Sequence, residues 1–193
     1  MKTIYFQTII ILLLFAAACN NPRTNDKAPP AAAFATDTLF TPTGNAKLDS
    51  LLQLTASAPQ DTTLAKLYYQ IAQMYKENDF EKAIDYFLKL NDLSVQLGWS
   101  LGQYWFASGF SIILVRQQLS DSAIAVNRRA YALAAKEKNE KWMALIDIST
   151  GTAYRSKEWN ETALEYYTKA LSYFEPRKES HAGTLGKIYD NMC

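Results

Sequence analysis

The chain has 193 residues, of which 49% are hydrophobic and 13% aromatic, which is enough apolar material for one packed body. Its 20 basic and 19 acidic side chains give a formal net charge of +1, which argues against a nucleic-acid-binding surface. With one histidine and two cysteines, the chain has too few ligands for a zinc cluster or a histidine-based catalytic set. We therefore predict no cofactor, no metal site and no enzymatic activity.

The first 18 residues have the composition of an export signal. Lys2 precedes an apolar run over residues 9–15, and small residues follow up to Cys19. This run is too short to span a bilayer, and small residues close it, as at a signal-peptide cleavage site. The segment AAAC at residues 16–19 also resembles the lipobox of bacterial lipoproteins, which implies cleavage before Cys19 and acylation of that cysteine. An ordinary secretory signal cut near Ala18 is the alternative.

The resemblance of residues 16–19 to a lipobox implies that the chain is a bacterial membrane lipoprotein that faces the periplasm or the cell exterior. Asn20 follows Cys19 where an acidic residue would favour the inner membrane, so the resemblance to enteric lipoproteins favours the outer membrane. Residues 19–43 are rich in Pro, Ala, Thr and Asn and lack sustained periodicity, which predicts a flexible tether. The folded region is then expected over residues 44–193.

A forty-residue repeat organises this region. Three alanines lie forty residues apart, and three further apolar residues follow them seven positions later: Ala83, Ala123 and Ala163, then Leu90, Ala130 and Ala170. Seven residues are two helical turns, so the members of each pair share one helix face. Small residues on that face let a second helix approach closely.

Each repeat is predicted to be a hairpin of two helices. An apolar-periodic segment precedes each alanine, at residues 64–75, 104–115 and 142–154, and no segment alternates like a strand. We call the first helix of each unit helix A and the second helix B. Asp79, Ser120 and Asn160 are the expected N-caps of the B helices, and stops are expected at Gly98, Asn139 and Pro176.

The predicted fold is therefore all-α: a solenoid of antiparallel helix pairs with units at about 62–98, 99–138 and 139–176. Residues 44–58 supply a preceding capping helix. Residues 178–193 look like helix A of a fourth unit without its partner. They are either a closing helix or the start of a unit that continues beyond a truncated chain, and the late apolar residues Ile188 and Met192 favour truncation.

The third unit resembles a tetratricopeptide repeat (TPR). The small and aromatic signature positions of the family match Gly151, Tyr154, Ala163, Tyr167 and Ala170 in the third unit, Ala72, Tyr75 and Ala83 in the first, and Ala123 and Ala130 in the second. The second unit is degenerate, because Leu114 and Asn127 stand where the family has aromatics. The period exceeds the family's thirty-four residues, so helices or loops must be longer. This long form resembles extracytoplasmic repeats of Bacteroidetes-type lipoproteins and sensor proteins.

The resemblance implies a concave groove that is lined by the A helices and selects a peptide or protein. Carried over by register, the candidate groove residues are Lys66, Tyr69, Gln70, Gln73, Lys76, Trp105, Ser108, Ile112, Arg116, Ile148, Thr152 and Arg155. Lys76, Arg116 and Arg155 hold nearly equivalent places and could form a basic ladder for a carboxylate-bearing partner. Scattered surface cations are the alternative. The aromatic segment 99–110 is expected to be inter-repeat core rather than an exposed patch.

The remaining polar residues are expected to carry no chemistry. We expect His181 to be exposed in a loop, Asp147 to be solvated on a helix face and Cys193 to be a buried helix thiol. The predicted function is a non-catalytic scaffold that binds a protein or peptide and is held at the membrane by its N-terminal lipid. The alternatives are the sensory input region of a truncated histidine kinase or transcriptional regulator, and a SusD-like glycan-binding lipoprotein.

Overall fold

The computed structural model describes residues 42–193. The predicted signal peptide, Cys19 and all but the last two residues of the tether lie outside the described residues. Within residues 42–193 the regular structure is entirely helical, which confirms the all-α prediction. The α-helices are α1 (Ala46–Ser57), α2 (Thr62–Tyr75), α3 (Phe80–Gln96), α4 (Ser100–Arg116), α5 (Ser120–Lys136), α6 (Glu140–Arg155), α7 (Asn160–Phe174) and α8 (Lys178–Met192), with a short 3-10 helix, Glu175–Arg177, before α8.

The helices form a solenoid-like stack in chain order, because each packs against the next. The A helices α2, α4 and α6 also pack directly on one another, whereas the B helices α3, α5 and α7 make no contacts of comparable extent among themselves. The A helices therefore form the more closely packed layer of the stack, the A layer, and the B helices form the other, the B layer. Helix α1 packs on α2, and α8 packs on α7, as expected for a capping helix and an unpaired final helix. In this part of the chain, no helix is both long and apolar enough to cross a bilayer.

The helix starts repeat every twenty residues, at positions 80, 100, 120, 140 and 160. Four links of three or four residues join helices α3 to α7, and each contains one residue with positive φ: Gly98, Gln118, Lys138 and Glu158. After each of these residues, the next amide donates to the carbonyl five positions back, as Trp99 does to Ser94 at 2.8 Å, which closes a Schellman-type turn. Because the links are this short, the long period lies in the helices.

The core follows the repeat register. Ala83, Ala123 and Ala163 are at most 2% exposed, and Ala72, Tyr75, Ala130, Tyr167 and Ala170 are also buried. Gly151 lies beneath the ring of Tyr167, and a Cβ at position 151 would stand only 2.7 Å from that ring. Tyr154 is half-buried and stacks on Trp159 and Tyr166. Half of the residues in the aromatic segment 99–110 are buried and the rest are half-buried, as expected of inter-repeat core rather than an exposed patch.

The expected caps are correct at only one of three B helices. Asp79 caps α3, since its carboxylate accepts from the amide of Lys82 at 3.0 Å. Ser120 and Asn160 are instead the first residues of their helices and make no capping bond. The hydroxyl of Ser120 pairs with that of Ser156 at 2.6 Å, so it serves a contact between units.

One expected stop is also wrong. Helix α5 ends at Lys136, before Asn139, and Asn139 starts the next helix by accepting from the amide of Trp142 at 3.3 Å. Asparagine is favoured both just before a helix and just after one, so the sequence alone does not show which helix end Asn139 marks.

Candidate functional site

The first two A helices leave one stripe of side chains partly accessible on the A layer of the stack. We define this surface, the A face, as Lys66, Tyr69, Gln70, Gln73, Trp105, Ser108 and Ile112. On α4 the members of the A face follow one another at spacings of three and four residues, which is one helix stripe. The neighbouring residues Phe106 and Ile113 are buried and mark the edge of this stripe on α4.

An aromatic pair joins the two helices of the A face. The ring of Tyr69 on α2 lies 4.8 Å from that of Trp105 on α4, and Trp105 also contacts the edge of Trp99 at 5.2 Å. Both members of the pair are half-buried, and burial raises the pKa of Tyr69. The rings are therefore held in place and keep an accessible side, while Ile112 on the next turns of α4 is 36% exposed.

Two of the three cations predicted to form a ladder meet at one carboxylate. Arg116 donates to both oxygens of Glu77 at 2.7 and 3.2 Å, and Lys76 Nζ lies 3.9 Å from the same group. The hydrogen bonds from Arg116 are the main reason that the pKa of Glu77 is lowered. Lys76 also donates to Gln73 Oε1 at 3.0 Å. These cations thus tie the turn of the first unit to α4.

The candidate groove residues of the third unit face other helices. Arg155 donates to the carbonyl of Asn191 on α8 at 2.9 Å. Thr152 accepts from the hydroxyl of Tyr167 at 3.3 Å, and Ile148 packs against the core cluster between α7 and α8. The structure therefore brings the first-unit and second-unit groove residues together and engages those of the third unit with α7 and α8.

A second polar site was missed by the sequence analysis. Asp147, expected on a solvated face, is 5% exposed, and Asn127 is 1% exposed. Both line a pocket between α5, α6 and α7. The repeat register held the signal that could have found it, because the residues forty positions earlier, Phe87 and Ala107, are also buried. A polar residue forty positions after a buried residue is therefore expected to be buried as well.

Two further expectations are wrong. His181 is half-buried within α8, where its backbone is locally non-helical and its ring stands 5.2 Å from that of Phe174. Cys193 is exposed just after the end of α8. In residues 42–193 no group of three or more His, Cys, Asp or Glu side chains is placed to hold a metal ion.

Comparisons of the chain with models of protein families, with curated proteins and with solved structures give no match.

Proposed function

We propose that this chain is a non-catalytic interaction scaffold of the TPR class that binds an extended segment of a partner protein on its A face. The supporting observation is the accessible Tyr69–Trp105 pair that bridges two A helices, next to the 36% exposed Ile112. Aromatic residues of this kind supply most of the binding energy at protein interfaces. The TPR assignment itself rests on the signature residues named above.

The A face suits a peptide because it combines apolar and amide groups. Gln70 and Gln73 lie beside the aromatic pair, and each amide can donate to and accept from a peptide backbone. The Tyr69–Trp105 pair and Ile112, two helical turns along α4, offer two separate apolar contacts for side chains of an extended segment. Lys66, exposed at one end of the stripe on α2, favours an acidic residue in the partner.

Selection of peptides from a random library against the full chain tests this proposal. Peptides that bind the full chain should lose at least about tenfold in affinity with Ile112→Glu, which places a charge in the apolar stripe. The matched control is Val95→Glu on α3, another exposed aliphatic residue, which lies on the B layer. Equal affinities of both variants and the original chain would show that the peptides bind elsewhere.

We further propose that the scaffold is anchored in the outer membrane by a lipid on Cys19 and faces the periplasm or the cell exterior. The AAAC segment at residues 16–19 supports this proposal. Metabolic labelling with a radioactive fatty acid should label the chain, and Cys19→Ser should abolish the label. A labelled Cys19→Ser variant would contradict the anchor, and recovery of the original chain in the inner-membrane fraction would contradict the location.

The two alternative functions make different predictions. A sensory input region requires a downstream membrane span and output domain, which the DNA beyond codon 193 would show. A glycan-binding lipoprotein should give a signal on a glycan array and none in the peptide selection. The three- and four-residue links between α3 and α7 leave no room there for large ligand-binding insertions, which favours the scaffold over the glycan-binding protein.

A further inference from the structure

The pocket between α5, α6 and α7 is distinct from the A face and is built around buried polar groups. Its volume is about 250 Å³. At about 30 Å³ for each water in the liquid, it would hold about eight waters, so it is larger than a site for one structural water. Ile124, Asn127, Arg128 and Tyr131 line it from α5, Asp147 and Thr150 from α6, and Tyr166 and Lys169 from α7.

Two of the lining side chains are buried polar groups, and the amide of one of them has no partner. Asn127 is 1% exposed, and neither its amide nitrogen nor its amide oxygen has a hydrogen-bond partner. Asp147 is 5% exposed, and Lys169 is the nearby charge that favours its ionised form. Burying such groups unpaired is costly, so a buried amide and a carboxylate that share one cavity indicate a ligand.

The deep part of the pocket offers acceptors in the number that a primary ammonium needs. Thr150 donates its hydroxyl hydrogen to the carbonyl of Ile146 at 2.8 Å, so within the pocket its oxygen can only accept. With the carboxylate of Asp147 and the amide oxygen of Asn127, this makes three kinds of acceptor for the three hydrogens of an ammonium. The amide nitrogen of Asn127 remains as a donor for a neighbouring oxygen of the same ligand.

The charges of the pocket are separated by depth. Asp147 is buried on α6, whereas Arg128 on α5 and Lys169 on α7 are exposed. Lys169 holds its ammonium over the ring of Tyr166, 4.6 Å from the ring centre. A cation alone would be repelled by the two exposed cations, and an anion alone by the buried carboxylate. A small zwitterion with its ammonium inward and its carboxylate outward complements both.

We propose that this pocket binds a free α-amino acid or a zwitterion of similar size. Its ammonium contacts Asp147, Asn127 and Thr150. Its carboxylate accepts from the amide nitrogen of Asn127 and faces Arg128 and Lys169. Its side chain lies against the apolar and aromatic wall formed by Ile124, Tyr131 and Tyr166.

The affinity should depend on pH because the ammonium needs an ionised Asp147. Burial raises the pKa of this carboxyl to about 6, and the nearby Lys169 opposes the rise. The other titratable or charged groups that line the pocket are Arg128 and Tyr131 on α5 and Tyr166 on α7. At pH 5 only about one Asp147 in eleven is ionised, so the affinity should be about tenfold lower than at pH 7.5.

Calorimetric titration of the full chain with each protein amino acid tests the proposal. The same amino acids as N-acetyl derivatives and as amides, which lack one charge each, are the ligand controls. At least one amino acid should bind, both blocked forms should bind at least about tenfold more weakly, and the affinity should fall between pH 7.5 and pH 5. Binding by no amino acid at millimolar concentration, or equal binding of the blocked forms, would overturn the proposal.

The variant Asn127→Phe/Ser149→Gly fills the pocket with the residues that stand forty positions earlier, Phe87 and Gly109. It should keep its helical circular dichroism and melt no lower than the original chain while it loses amino-acid binding. Lys169→Gln should weaken binding severalfold, whereas Lys136→Gln, an exposed lysine of α5 outside the pocket, should not. Undiminished binding by the filled variant would place the ligand elsewhere and contradict the proposal.

Discussion

Two seams between neighbouring units share one architecture and are filled in different ways. In the first seam, where α4 lies between α3 and α5, Phe87 and Phe110 are at most 1% exposed. Gly109 lacks a side chain, so the ring of Phe87 lies against the α4 backbone. In the second seam, where α6 lies between α5 and α7, the residues forty positions later are Asn127, Thr150 and Ser149.

The difference shows that the repeat determines the backbone and that individual positions decide whether a seam is core or pocket. The twenty-residue spacing of helix starts, the turn geometry and the key alanines are shared by the two seams. In an array each unit is stabilised mainly by its neighbours, so one seam can remain less filled while the rest of the stack supplies the burial. The degenerate second unit, with Asn127 in place of an aromatic residue, is where this occurs.

The largest expected effect comes from replacing Phe87 of the first seam with asparagine, the residue found at the equivalent position of the second seam. Phe87→Asn removes a fully buried ring and leaves an amide without partners, so the free energy of unfolding should fall by about 4 kcal/mol or more. Urea unfolding followed by circular dichroism measures the change. The reciprocal Asn127→Phe/Ser149→Gly should show no such loss. A decrease below about 1 kcal/mol for Phe87→Asn would mean that the first seam is not packed as described.

A smaller loss should follow from adding a single methyl group to the first seam. A Cβ at Gly109 would stand 2.2 Å from the ring of Phe87, so Gly109→Ala should destabilise the chain by about 1–3 kcal/mol. The control is Gly183→Ala on α8, where a Cβ meets nothing within 4 Å. This control should be neutral or stabilising, because alanine favours a helix by about 0.5–1 kcal/mol over glycine. Equal effects in thermal melts would contradict the close contact.

Much of the fold was predictable because the same sequence pattern occurs in three repeats. The spacing of Ala83, Ala123 and Ala163 predicted three hairpins, and the position of each alanine in the core follows from helix periodicity alone. The backbone conformations of the turns were harder to predict. Gln118, Lys138 and Glu158 adopt positive φ although none is a glycine, because the helices on both sides fix the link.

The candidate sites were predictable only in part. The stripe of Trp105, Ser108 and Ile112 follows from helix geometry, so the sequence could place it. The contacts of Arg116 with Glu77 and of Arg155 with Asn191 depend on how far units rotate against each other, which no local pattern records. The charge of Asp147 predicts a surface position, and only comparison with the buried Ala107 one repeat earlier indicates otherwise.

The second seam should respond to pH in a way that the first does not. Burial raises the pKa of Asp147 from 3.8 to about 6, so the folded chain binds a proton more readily than the unfolded chain between these values. The free energy of unfolding therefore decreases as pH rises through this window. The full shift corresponds to about 3 kcal/mol, and solvent at the pocket mouth reduces the expected effect to about 1–2 kcal/mol.

Asp147→Asn removes this titration and should stabilise the chain by about 1–2 kcal/mol at pH 7.5, with little change at pH 4. Urea unfolding of both chains at several pH values measures the difference. Asp92, whose pKa is also raised by burial, titrates in both chains, so its contribution cancels in the comparison. A constant difference across pH would mean that the carboxyl of Asp147 is not buried.

The smallest expected effect concerns the N-terminal caps of α3 in the first seam and α7 in the second. Asp79 caps α3 of the first seam, and Asp79→Ala should cost about 1 kcal/mol because the amide of Lys82 loses its acceptor. Asn160, the first residue of α7 in the second seam, makes no capping bond, so Asn160→Ala should change stability by no more than about 0.3 kcal/mol. Thermal melts of the two variants measure the contrast. A similar loss in both would mean that Asn160 also caps its helix, and that the B helices beside the two seams begin alike.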